Sequence, residues 1–129
     1  MQNGHNRLGL GGYFQTRFPH TFNALQKLVM AMADYKKNRG KKTIFGKDKG
    51  LDSYKKFEGV LRDTLLAMVV DGAVERNVKA KECRETLTEM VAAFAEVFPN
   101  WQDAYSFADE YFIKNAVTAE DRIRDMLRQ

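Results

Sequence analysis

An all-α domain is predicted by three features of this 129-residue sequence. Apolar residues recur at spacings of three and four through most of the chain beyond position 20. No segment alternates with the period of a strand. The only two prolines, at 19 and 99, fall outside the periodic segments and leave long helices uninterrupted. The expectation is a compact bundle of four main helices plus a short C-terminal helix, with a flexible N-terminal arm and a basic loop between helices 1 and 2.

Residues 1–19 read as the arm and 20–129 as a single helical domain. Gly4, Gly9, Gly11 and Gly12 raise the entropy cost of ordering the arm, while Leu8, Leu10, Tyr13, Phe14 and Phe18 give it apolar surface to dock. The first helix is expected from about Thr21, as cap, to Asn38. Its apolar face is Phe22, Leu25, Leu28, Val29 and Met32, and Gly40 follows as the stop. A basic connector over roughly 40–51 leads to a second helix capped by Asp52 or Ser53. Phe57, Val60, Leu61, Leu65, Met68 and Val69 form its face, and Asp71-Gly72 ends it.

The third helix spans about 78–98, with Ala80, Cys83, Leu87, Met90, Val91, Phe94 and Phe98 on one side. Pro99 terminates it. Asn100 caps a fourth helix whose apolar side combines Trp101, Ala104, Tyr105, Ala108, Tyr111 and Phe112. Thr118 caps the fifth, with Asp121 at the capping-box position. Met68, Met90 and Met126 suit core stripes, whereas one of Met30 and Met32 must leave the core face.

Charge is distributed unevenly. The chain carries +4 overall, yet residues 36–56 alone hold nine Lys or Arg against two Asp, a net +7. Residues 57–129 carry nine basic and fourteen acidic side chains, a net −5. The single cysteine, Cys83, excludes an internal disulfide framework and suits a reducing, cytoplasmic setting. The first residues lack the apolar core of a signal peptide, and the run "TLLAMVV" is too short to span a bilayer.

Enzyme motifs fail on spacing. "RGKKT" resembles a phosphate loop, but that loop needs a glycine at position 35, where Tyr35 stands, and a preceding strand. "GLGGYF" has Phe14 where the dinucleotide fingerprint requires glycine. His5 and His20 have no neighbouring ligands at metal spacing. Glu85 and Glu89 share a helical face without helix-borne histidines, and read as a solvated acidic surface. Cys83 lies on an apolar stripe and reads as an inert buried thiol. A helix-turn-helix reading of the 69–84 junction, with Lys79, Lys81 and Arg84 opening a recognition helix, conflicts with the length of the flanking helices. No catalytic residue, metal or cofactor is expected.

The basic segment carries the functional expectation. Lys36, Lys37, Arg39, Lys41, Lys42, Lys47, Lys49, Lys55 and Lys56 can neutralise nucleic-acid phosphates, DNA or RNA, without a fixed geometry. Tyr35, Phe45 and Tyr54 are interleaved, and Phe45 joins the expected site as an aromatic able to stack on an unpaired base. The competing reading has Ile44 and Phe45 pinning the connector to the core and the lysines merely solvated. A function of another class is a helical adaptor or inhibitor, docking a protein partner or larger assembly through the aromatic arm and the fourth helix with Phe107.

Overall fold

The computed structural model describes residues 14–97, 106–107 and 110–128, with the backbone alone at Val97 and Ile113. It is all-α. The helices are α1 (Pro19–Asn38), α2 (Lys49–Val70), α3 (Ala80–Val97) and α4 (Ala116–Leu127), with a π-helical turn at Glu110–Lys114 before α4. No described helix is long and apolar enough to cross a membrane.

Helix α1 begins two residues earlier than its sequence suggests. Pro19 occupies the first turn, where its missing N–H costs nothing. Thr21 is therefore inside the helix, and fully buried. Residues 14–17, which the sequence placed in the arm, are helical, and Phe14 is buried against Phe18 and Phe22. The remaining arm residues, 1–13, with His5, lie outside the described residues.

Helix α2 also starts earlier than expected. Its N-cap is Asp48, whose Oδ1 accepts the Leu51 amide at 3.0 Å, rather than Asp52 or Ser53. Asp52 instead lies in the first turn, where a carboxylate suits the helix dipole. At the other end Ala73 N–H donates to Met68 O and Gly72 N–H to Val69 O, a Schellman closure at the predicted Asp71-Gly72 stop.

Helices α1 and α2 form an antiparallel pair, which α3 and α4 close into a bundle. Leu25, Leu28, Val29 and Met32 of α1 meet Phe57, Leu61, Leu65 and Met68 of α2, and Cys83, Leu87, Val91, Phe94 and Ile123 complete the core. The predicted stripes of the first three helices thus face the core, with Val60, Val69 and Ala80 half-buried at its margin. Met30 is the methionine that leaves the core, more than half exposed beside fully buried Met32.

The expected fourth helix is only partly described. Trp101, Ala104, Tyr105 and Ala108 lie outside the described residues, as does Phe98, while 110–114 form a π-turn in place of α-helix. Helix α4 follows with Asn115 as N-cap, three residues before Thr118. The buried Arg84 side chain ties these parts together. Its Nη1 donates to Phe112 O at 3.1 Å, and its guanidinium meets Glu120 at 3.2 Å. That placement removes Arg84 from any recognition surface.

Candidate nucleic-acid interface

The basic loop between α1 and α2 is built as a hairpin. Arg39 (φ −61°, ψ 133°) and Gly40 (φ 79°) occupy the centre of a type II turn, closed by Lys41 N–H donating to Asn38 O at 3.0 Å. The second central position of that turn requires positive φ, so glycine belongs there. A single β-bridge then pairs Lys42 with Asp48. Inside it Thr43 N–H donates to Lys47 O, Gly46 N–H to Thr43 O, and Lys47 N–H to Thr43 Oγ1. This is a three-residue hairpin loop, Ile44-Phe45-Gly46, with glycine at the positive-φ position (φ 80°).

The hairpin's base is packed tightly. Gly50 is buried, and a Cβ there would sit 2.9 Å from Arg39 Cα. Alongside, Asn38 Nδ2 donates to Ser53 Oγ at 2.9 Å, and Ser53 Oγ donates to Asp34 Oδ2 at 3.3 Å, joining the helices just below the turn. An open cleft of about 260 Å³ lies here, lined by Tyr35, Arg39, Asp48, Leu51 and Tyr54 among others.

The expected site residues divide by location. Lys36 and Lys37 end α1, Lys41, Lys42 and Lys47 stand on the hairpin, and Lys49 opens α2. These share one end of the helix pair. Lys55 and Lys56 point to different neighbours: Lys55 lines a cleft with Glu58, Arg122 and Asp125, while Lys56 lines a groove with Met30, Asp34 and Val60. Arg39 is partly committed, 3.7 Å from Glu110 and 5.8 Å from the centre of the Phe107 ring. Lys47 pairs with Asp52 at 3.3 Å. Lys36, Lys37, Lys41, Lys42 and Lys49 are exposed and make no ion pair with any described residue.

The three interleaved aromatics differ sharply. Tyr35 stacks on Phe57 at 6.2 Å and meets Phe107 edge-on at 5.7 Å. Tyr54 donates its hydroxyl to Glu58 Oε2 at 3.0 Å and packs on Tyr35 and Phe57. Both belong to an aromatic cluster that includes Tyr111, whose hydroxyl is pushed upward in pKa by burial and then by its contact with Tyr54. Phe45, by contrast, is 91% exposed, and Ile44 is 94% exposed. The competing reading, in which these two pin the connector to the core, does not hold, and Phe45 is exposed as the site reading expects.

Compared with known proteins, the chain matches no family model, no curated relative and no solved structure. Sequence reasoning missed Ile44 as a surface residue. The available signal was the "TIFGK" run, in which a glycine closes a three-residue turn between polar flanks. Among the described residues no cluster of His, Cys, Asp and Glu could hold a metal ion.

Proposed function

We propose that the protein is a non-enzymatic, cytoplasmic helical domain that contacts nucleic-acid phosphate backbones through the lysine-bearing end of its α1–α2 pair, as a small subunit of a nucleoprotein assembly. The observation that carries this reading is the concentration of five exposed lysines without described ion-pair partners at one end of the bundle. Cations already neutralised by neighbouring carboxylates have less to gain from phosphates, so Arg39 and Lys47 contribute less than Lys36, Lys37, Lys41, Lys42 and Lys49. Contact of this kind reads charge and backbone rather than base sequence.

Fluorescence anisotropy with labelled single-stranded RNA, single-stranded DNA and duplex DNA over a salt series tests the reading. If all five lysines engage, the slope of log affinity against log salt lies between about −3 and −5. Changing Lys41, Lys42, Lys47 and Lys49 together to Gln should flatten that slope and weaken binding to all three probes. Equal binding by the folded variant, or no binding at low salt, discards it.

The adaptor reading has less to stand on. Phe107, which the fourth helix was to present beside its main stripe, is buried in the aromatic cluster and not offered to a partner, while the arm residues 1–13 and Trp101 and Tyr105 lie outside the described residues.

A further inference from the structure

The tip of the hairpin presents two adjacent large apolar side chains, more exposed than any other large hydrophobic among the described residues. Lysines stand on both limbs below it. We propose that Ile44 and Phe45 form a stacking wedge for an unpaired nucleic-acid strand, with Phe45 against the face of a base and Ile44 against its edge. This rests on the phosphate-contact reading above and adds the strand type and the residues that select it.

The energetics favour a single strand over a duplex. One aromatic ring stacked on an accessible base strengthens binding by roughly ten- to a hundredfold. Entering a duplex forfeits a comparable or larger factor in unstacking, recovered only by wrapping bent DNA over additional protein surface. A hairpin with one bridge and a three-residue tip offers little surface to wrap. An unpaired strand already exposes its base faces.

The backbone of the tip points the same way. The amides of Thr43, Gly46, Lys47 and Lys49 all donate within the hairpin, but those of Ile44 and Phe45 have no described partner. Two free N–H groups beside the wedge can donate to phosphate oxygens of the same strand. An anionic bilayer is the other surface that a lysine-flanked apolar tip could meet. Sinking this tip into hydrocarbon would strip those amides of water without replacing their hydrogen bonds, which works against insertion.

The wedge is also held in place before any ligand arrives. The type II turn, the bridge and the Asp48 cap fix both limbs to the helix ends, so little conformational freedom is lost on binding.

The test uses the full chain with labelled oligothymidylate, a thymidine–adenosine duplex of equal length, and vesicles containing phosphatidylserine. The parent protein should prefer the single strand. Phe45→Ala should lower that affinity roughly tenfold with the salt slope unchanged, because stacking releases no counterions. Phe45→Trp should retain affinity, and its emission, measured against the Trp101 background, should be quenched by the oligonucleotide. Because Phe45 touches no core residue, an unaltered melting curve verifies the fold of both variants.

Unchanged affinity in Phe45→Ala overturns the wedge. If the lysine-to-Gln variant nevertheless loses binding, the phosphate reading survives that failure. Preference for the duplex overturns the single-strand assignment. Tighter binding to the vesicles than to either nucleic acid, lost in Phe45→Ala, assigns the tip to a membrane surface instead. Failure of the parent to bind any of the three probes removes both readings.

Discussion

Asp71, at the C-terminal end of α2, caps the first turn of α1 fifty residues away. Its Oδ2 accepts the Thr21 amide at 2.7 Å, and its Oδ1 lies 2.7 Å from His20 Nδ1. The carboxylate is nearly inaccessible, at 3% exposure. Burial pushes its pKa up, but the Thr21 amide and His20 outweigh burial and hold the carboxyl below its ordinary value. One side chain thereby joins the far ends of two helices at the end of the bundle opposite the hairpin.

Replacing Asp71 with Ala should cost about 1–3 kcal/mol, since the Thr21 amide is left without its acceptor. Asp71→Asn should cost less, because an amide oxygen can still accept that bond. Urea unfolding at neutral pH measures both. The pH dependence has a definite sign. A folded-state pKa below the unfolded one gives stability that is present above the unfolded pKa and lost as pH falls through the folded value. The advantage of the parent over Asp71→Ala should accordingly be constant above about pH 5 and shrink on acidification below about pH 4.

Two glycines of α2 should respond in opposite directions to the same substitution. Gly50→Ala drives a methyl group against the backbone of Arg39 and Asn38, and should destabilise by about 1–3 kcal/mol as the turn and helix are forced apart. Nothing lies within 4 Å of a Cβ at Gly59, in the interior of the same helix. Gly59→Ala should therefore stabilise by about 0.5–1 kcal/mol. Thermal melts of the two variants settle the comparison.

Arg84 should be the most costly polar side chain to truncate alone. Arg84→Met leaves the Phe112 carbonyl and the Glu120 carboxylate without their buried donor, with an expected loss of about 3 kcal/mol or more. The double variant with Glu120→Leu should lose less than the sum of the single variants, as measured in a double-mutant cycle.

Cys83 should be chemically silent in the native state. Its thiol is fully buried, and burial pushes its pKa up to about 11. A disulfide reagent at mildly alkaline pH should modify it only after denaturant is added. Rapid native labelling would contradict the packing of α3.

The apolar stripes of α1, α2 and α3 were legible because burial imposes a helical period that any core-facing residue must obey. Phe22, Leu25, Phe57, Leu61, Cys83 and Leu87 all occupy the predicted side. Helix starts were less legible. Asp48, Asp52 and Ser53 can each cap a helix, and the choice is made by the bridge to Lys42 and by the close seat of Gly50, both tertiary. The long-range role of Asp71 left no trace in local spacing. For the candidate site, the charge cluster was visible as composition, but its division was not. Lys55 and Lys56 are adjacent in sequence and line different clefts because a helix turns about 100° per residue. Sequence alone left Phe45 open between an exposed stacking ring and, with Ile44, a core anchor, because short apolar runs are usually buried, and only the hairpin geometry places both outward.

The type II turn, closed by the Lys41 amide, and the Asp48 cap, closed by the Leu51 amide, both lie at the base of the hairpin, so the segment from Lys42 to Lys47 is a detachable cassette on an otherwise ordinary helical corner. Its replacement by a short polar turn would leave the two helices joined and their shared core untouched. The same cassette, carried on another antiparallel helix pair with a glycine at the seat equivalent to Gly50, would take its lysines and its apolar tip to a new host.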